Sequence, residues 1–236
     1  MFNKLIFFSI FLILHNLFAQ ELTGKDLLEK TINFHDPKNN WTDFQDSFTV
    51  KMITPDEKIR ESLIEIDLYN ELFSMSVTKD HNKTFTVIDK SECKIIFNGS
   101  ESFSKEDETK HRLTCKNAFK MRDYYTYLYG LPMKLKDPGT ILYPVVKRKK
   151  FKEKEYLVLK VTYEESVGKD TWYFYFNPLT YAMEVYQFFK DESKNDGEYI
   201  LLNDEILVEG IKMPKNRSWY FNSNDKFLAT DRLSVE

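Results

Sequence analysis

The chain has 236 residues, of which 42% are hydrophobic and 16% aromatic, and its formal net charge is -3 at pH 7. This apolar fraction can fill a sizeable core and excludes an intrinsically disordered chain, and the length fits a single domain. The mixed, mildly acidic charge excludes the basic surface that nucleic-acid binding requires, so we expect no nucleic-acid partner.

The first residues match a secretory signal peptide. Lys4 precedes the apolar run 5–14, and Ala19 supplies a small residue at a cleavage point that no Cys follows for lipid attachment. The run is shorter than the roughly 20 apolar residues of a membrane span. We therefore predict a signal peptide over 1–19 and one domain over 20–236, periplasmic or secreted and not membrane-spanning after cleavage; a retained anchor is the alternative.

The mature chain begins with a predicted helix and continues with strands. Thr23 and Asp26 resemble a capping box, and apolar residues recur at helical spacing from there to about His35. Between residues 48 and 97 the apolar period changes to two, with turn residues between the runs. This pattern predicts a meander of about five antiparallel strands.

The middle of the chain predicts a second helix. The acidic residues 106–108 lead into a stretch with four-three spacing from Thr114 to Leu128, and Gly130 and Pro132 form a stop signal. Its aromatic end has two interpretations: a lid over an apolar ligand, or packing of the helix onto the sheet. The predicted lid residues are Tyr124, Tyr125 and Leu128.

Strand patterns resume from 142 to 233, with single strands predicted over 142–148, 211–213 and 218–221 among them. They include a hairpin over 170–191 that is aromatic on both faces. Side chains alternate across a strand, so Trp172, Phe174 and Phe176 point one way while Tyr173 and Tyr175 point the other. Because an antiparallel sheet usually has one polar face, two aromatic faces need two covers, and one of them is predicted to be a helix or a bound ligand. The whole pattern predicts a mainly β (α+β) fold of about eleven strands with helices against one side of a large curved sheet.

Two cysteines, Cys93 and Cys115, are present in a chain predicted to be exported. An even number of cysteines in an oxidising compartment favours a disulfide, and two reduced buried thiols are the alternative. No His lies at ligand spacing from either Cys, so we predict no metal site.

No catalytic motif is present in the sequence. It lacks a nucleophile elbow, a zinc-protease helix, a phosphate-binding loop and a glycine-rich dinucleotide turn. His35 beside Asp36, or His111, could serve a hydrolase, but adjacent helical residues do not face each other. We therefore predict a protein that is not an enzyme and has no cofactor.

Four segments of the sequence carry a family resemblance, namely 124–139, 168–178, 196–200 and 210–214. Through them the chain resembles an uncharacterised family of exported Gram-negative envelope proteins, and is similar to the LolA-like superfamily of periplasmic lipoprotein carriers. The resemblance implies an unclosed half-barrel of about eleven antiparallel strands, with helices on the concave face and an apolar cavity between. The lid-opening arginine of those carriers has no identified counterpart here.

The resemblance implies that lipids or lipoprotein acyl chains bind in the cavity. We predict such a ligand, with a lipid or an acylated protein as the partner of a monomer; the alternative is a module that docks to another envelope protein, with the cavity filled by its own helices. If the faces of the sheet are reversed, Tyr173 and Tyr175 line the cavity instead. The predicted lining residues are Phe73, Met75, Val77, Phe85, Trp172, Phe174, Phe176, Tyr186, Phe188 and Trp219.

Overall fold

One antiparallel sheet of 13 strands dominates residues 22–235, which are those that the computed structural model describes; the predicted signal peptide lies outside them. The strands are β1 (Gln45–Ile53), β2 (Ile59–Asp67), β3 (Leu72–Lys79), β4 (Asn82–Asp89), β5 (Glu92–Phe97), β6 (Thr140–Leu142), β7 (Lys147–Phe151), β8 (Lys154–Tyr163), β9 (Thr171–Phe176), β10 (Met183–Phe189), β11 (Glu198–Val208), β12 (Ile211–Phe221) and β13 (Phe227–Ser234).

The spatial order is β5-β4-β3-β2-β1-β13-β12-β11-β10-β9-β8-β6, and β7 also pairs with β8. Within the described residues the two edges do not pair with each other, so the sheet is unclosed, as predicted. The sheet has 13 strands where about eleven were predicted, and two boundaries also differ. Residues 142–148, predicted as one strand, contribute to β6 and β7, which pair with opposite ends of β8. Conversely, β12 continues through Pro214, where two strands were predicted.

The helices are α1 (Gly24–His35), α2 (Lys105–His111) and α3 (Cys115–Tyr129). The predicted capping box is present at the start of α1, where Thr23 and Asp26 exchange hydrogen bonds. The middle helix is interrupted, because Arg112 adopts a left-handed conformation with a φ of 54° after α2. Thr114 then caps the amide of Asn117 and starts α3.

A disulfide joins Cys93 of β5 to Cys115 at the start of α3, so the predicted disulfide is confirmed. The covalent bond fixes the N-terminal end of α3 to one edge of the sheet. At the other end of the helix, the ring centroid of Tyr129 lies 4.8 Å from that of Phe48 on β1. These two anchors hold α3 against one face of the sheet, which we call the inner face.

The sheet curves strongly around α3. Phe73 on β3 and Trp172 on β9 line the same cavity, although six strands separate β3 from β9 in the sheet order. In a flat sheet these strands would be about 34 Å apart. The curvature therefore brings the two halves of the inner face together around the helix.

The aromatic hairpin has a different cover on each face. Trp172, Phe174 and Phe176 belong to the inner face and to the main core. On the outer face, Tyr175 packs against Phe151 of β7, with 5.1 Å between ring centroids, and Tyr173 joins the same small cluster. The second cover is thus a neighbouring β-hairpin, and Tyr173 and Tyr175 are not cavity residues.

Phe85 was predicted to line the cavity, and this prediction is wrong because Phe85 lies on the outer face of the sheet. The turn between β3 and β4 has only two residues, Asp80 and His81, both with positive φ (49° and 64°). This turn fixes the register in which Ser76 is opposite Phe85, whereas Met75 and Val77 are opposite threonines. Residues directly opposite each other share a face, so Phe85 cannot line the inner cavity.

Candidate functional site

Two cavities flank the C-terminal half of α3 on the inner face. The first has a volume of about 680 Å³ and the second of about 440 Å³. Both are lined by Tyr127, Asp170 and Trp172, so they meet at one point beside the helix. The volumes are those of pockets that bind small molecules, which measure roughly 300 to 1,000 Å³.

The first cavity opens between the β2–β3 turn and the β8–β9 turn. Charged side chains such as Lys90, Arg122 and Lys169 also border it. The lining thus combines apolar residues with charges of both signs, and its apolar part suits the hydrocarbon of a ligand. The apolar lining residues are Ile66, Leu68, Leu72, Phe73, Val167 and Trp172.

The second cavity lies between α3 and strands β9 to β13, with β1 and β2 at its other end. Burial raises the pKa of Asp170 and of Glu198 in this cavity, while the positive charge of Lys190 opposes the change. The apolar lining residues are Met52, Leu128, Trp172, Phe188, Trp219, Leu228 and Ala229.

Trp172 is the centre of the aromatic wall between the cavities. The register of β9 and β10 places it opposite Phe188, and the two rings stack with 4.9 Å between centroids. Phe174 stacks at 5.9 Å, and Tyr127 of α3 contacts the indole edge to face at 5.7 Å. The indole is half-buried and in contact on several sides, so its orientation is fixed before any ligand binds.

The tyrosines of α3 are neutral hydrogen-bonding groups. Burial raises the pKa of Tyr127 well above its usual value, and its hydroxyl is hydrogen-bonded to that of Tyr163. Burial likewise raises the pKa of Tyr124. The tyrosine hydroxyls of α3 therefore add no negative charge to the cavity walls at neutral pH.

The predicted lining residues divide into separate groups. Trp172, Phe188 and Trp219 line the second cavity, and Phe73 lines the first together with Trp172. These four residues come from four different strands. The curvature of the sheet brings them to one region beside α3.

Three predicted lining residues are core residues instead. Phe174, Phe176 and Tyr186 are each 0% exposed. The reason is the position of α1: Gly24 at its start contacts the side chain of Leu159, the strand neighbour of Phe174. Helix α1 thus closes this part of the inner face.

A third pocket of about 450 Å³ contains the remaining predicted residues. Met75 and Val77 line it together with Tyr125 of the predicted lid. The other lid residues, Tyr124 and Leu128, line the second cavity. The predicted lid is thus one wall shared between two separate spaces.

A row of charged residues on the inner face was not predicted from the sequence. Arg217 is opposite Asp231, Asp231 is opposite Met52, and Met52 is opposite Arg60. The Arg217 guanidinium lies 4.0 Å from the ring centroid of Tyr129 on α3. The signal was present in the sequence, since these charges alternate in phase with the inward apolar residues of their strands.

His35 is 1% exposed and both of its ring nitrogens bind backbone groups. Nδ1 lies 2.7 Å from the carbonyl oxygen of Lys212, and Nε2 accepts from the amide of Met183 at 2.9 Å. The neutral tautomer with a proton on Nδ1 satisfies both contacts. This histidine connects α1 to β10 and β12 and offers no free nitrogen for acid–base chemistry.

The described part of the chain shows neither a metal centre nor a membrane-spanning helix. No group of three or more His, Cys, Asp or Glu side chains within residues 22–235 could hold a metal ion. The helices within the same range lack the length and apolar character needed to cross a membrane.

Comparison with known proteins identifies the family. No curated protein matches the chain. In fold, the chain is similar to a LolA superfamily protein from Nitrosomonas europaea, at 14% identity over 90% of this chain and 92% of that chain with a TM-score of 0.47. It is also similar to a DUF1329 family protein from Desulfovibrio piger, at 7% identity over 89% and 90% with a TM-score of 0.48. The model of the family of unknown function DUF6503 matches residues 4–236, and the chain therefore belongs to this uncharacterised family.

Proposed function

We propose that the protein is a non-enzymatic periplasmic carrier that binds a lipid or the acyl chain of a lipoprotein in the two cavities beside α3. The observation that carries this proposal is the pair of apolar cavities that meet at Trp172. An acyl chain that entered them would leave water and contact aromatic side chains on several sides. Transfer of its surface from water contributes about 25 cal/mol per Å², so no charged contact is needed to hold the chain.

A second candidate function is a module that docks to another envelope protein. It is favoured by the complete burial of Phe174, Phe176 and Tyr186, which shows that the chain's own helices fill a large part of the inner face. The two candidates differ in one observable property. The carrier takes up hydrocarbon into the cavities, whereas the module binds its partner with the cavities unchanged.

Native mass spectrometry with lipid extraction, on protein purified from the periplasm of its host, separates the two functions. The carrier is expected to co-purify with an acyl species of defined mass. A clean apo mass, together with no uptake of offered fatty acids or lipopeptides, would rule out the carrier and leave the interaction module.

Replacing Trp172 by alanine is expected to weaken the binding of a fluorescent fatty acid by about tenfold, because the substitution removes the wall shared by both cavities. The measurement is an equilibrium titration, with circular dichroism to verify that the fold is retained. Tyr69→Ala is the matched control, since this aromatic side chain is 78% exposed. Equal affinities for the wild type and Trp172→Ala would contradict the proposed site.

A further inference from the structure

The third pocket differs from the two apolar cavities in its chemistry. It lies between helices α2 and α3 and strands β2 to β5, and none of its lining residues is acidic. Its volume of about 450 Å³ is that of a site for a small polar group. The residues with cationic or titratable basic side chains are Arg60, Lys79, Lys110, His111 and Arg112.

Polar residues occupy the inner face of β4 at this pocket, where apolar residues normally face a helix layer. The two-residue turn before β4 places Asn82 opposite Lys79 and Thr84 opposite Val77. Thr86, on the same face, is 4% exposed. Hydroxyl and amide groups thus replace hydrocarbon on the floor of the pocket.

Within residues 22–235, Arg60, Lys79, Lys110 and Arg112 form no ion pair with any carboxylate. Asp231, which lines the adjoining second cavity, offsets part of the charge of Arg60. The pocket therefore holds an excess of positive charge.

Two side chains on β2, Arg60 and Ser62, face the Tyr125 hydroxyl of α3 at this pocket. Burial raises the pKa of Tyr125, and the hydrogen bonds from Ser62 and Arg60 oppose that change. The N-terminal end of α3, at Thr114 and Asn117, also borders the pocket, and the helix dipole there favours an anion.

Arg60 lines both this pocket and the second apolar cavity, so the two spaces adjoin at its side chain. We propose that the third pocket binds the phosphate of an amphiphilic ligand whose hydrocarbon chain occupies the apolar cavities. This inference rests on the proposed function and adds the chemical class of the head group. The ligand is then an anionic single-chain phospholipid or a phosphorylated acyl compound.

A phosphate fits the pocket better than a carboxylate does. A phosphate presents up to four oxygens to donors, and several cations together with hydroxyls and an amide can bind them at once. A carboxylate, with two oxygens, would leave most of these donors unused. The position of Lys79 and Lys110 at the exposed rim also allows a charged head to enter from water.

The test compares three probes by calorimetry at constant ionic strength and below micelle-forming concentrations. Palmitoyl lysophosphatidic acid has both head and chain, monopalmitoylglycerol has the chain with a neutral head, and glycerol 3-phosphate has the head alone. The variant is Lys79→Gln with Lys110→Gln. The control with the same change in charge is Lys38→Gln with Lys147→Gln, at exposed positions outside all three spaces.

We expect the lysophosphatidic acid to bind about tenfold more tightly than monopalmitoylglycerol. The rim variant should remove most of this difference, whereas the control should keep it. Equal binding of the two acylated probes would overturn the head-group inference and leave the proposed function intact. Glycerol 3-phosphate binding as tightly as the acylated phosphate would also overturn it, because the site would then serve a soluble phosphate. Failure of both acylated probes to bind would overturn the proposed function itself.

Discussion

Asp231→Ala is expected to lower the free energy of unfolding by about 3 to 5 kcal/mol, since it removes one partner of a buried charge group. The Asp231 side chain lies opposite Arg217 and accepts a hydrogen bond from Nε1 of Trp219 at 3.0 Å. Arg217 is 1% exposed. Without the carboxylate, its guanidinium stays buried with less compensating charge, and the indole loses its acceptor.

Urea denaturation at pH 7 measures this loss. The control is Asp225→Asn, which removes a solvated surface ion pair with Lys152 and keeps a residue that tolerates the left-handed backbone at this position, and we expect a much smaller loss. Adding Arg217→Met to Asp231→Ala should restore part of the stability, because the uncompensated charge is then removed. A loss of similar size in both aspartate variants would show that the buried charges do not act as a group.

Stability is expected to fall as the pH decreases from about 6.5 towards 4, and His35 is the cause. Burial, together with the positive charges of Lys212 and Arg217, lowers the pKa of His35 to about 4 from 6.5, although the hydrogen bond to the Lys212 carbonyl opposes this. Protonation would place a hydrogen on Nε2, which faces the amide of Met183. As the pH falls, the unfolded chain therefore binds a proton at His35 at a higher pH than the folded protein does. The full loss of stability is about 3 kcal/mol.

Chemical denaturation between pH 6.5 and 4.5 measures the difference in stability between the wild type and His35→Asn. This difference isolates the contribution of His35 to the pH dependence. The variant should be less stable at pH 7 but should have a flatter pH dependence. Asp231, whose pKa burial raises, contributes a slope of the opposite sign that cancels in the difference. His81→Gln, at an exposed position, serves as the control and should keep the wild-type slope. An imidazole of His35 that titrates near pH 6.5 in the folded protein would refute the prediction.

Most of the secondary structure follows from local signals in the sequence. The capping box at Thr23 starts α1 where it was predicted, and the alternation of Trp172, Phe174 and Phe176 places these three side chains together on one face. Both signals act within a few residues, over which backbone hydrogen bonding and side-chain direction are fixed. The element types and the antiparallel sheet could therefore be predicted without tertiary information.

Hydrophobicity alone could not predict which residues of β4 face inward. Phe85 and Val87 are more apolar than Thr84 and Thr86, yet the threonines face inward. The register set by the turn at 80–81 overrides the apolar preference of the strand. The same register creates the polar floor of the third pocket, so the error in the prediction and the missed site have one cause.

The sequence alone determined the element types, the start of α1 and the apolar character of the protein, because these depend on residues near each other in the chain. Only the tertiary structure decided which aromatic residues border a cavity and which belong to the core. Trp172 and Phe73 line one cavity, while Phe174, two residues from Trp172, is completely buried. A cavity exists where the curved sheet and α3 leave space between strands that are far apart in sequence. The spacing between such strands cannot be predicted from a local sequence pattern.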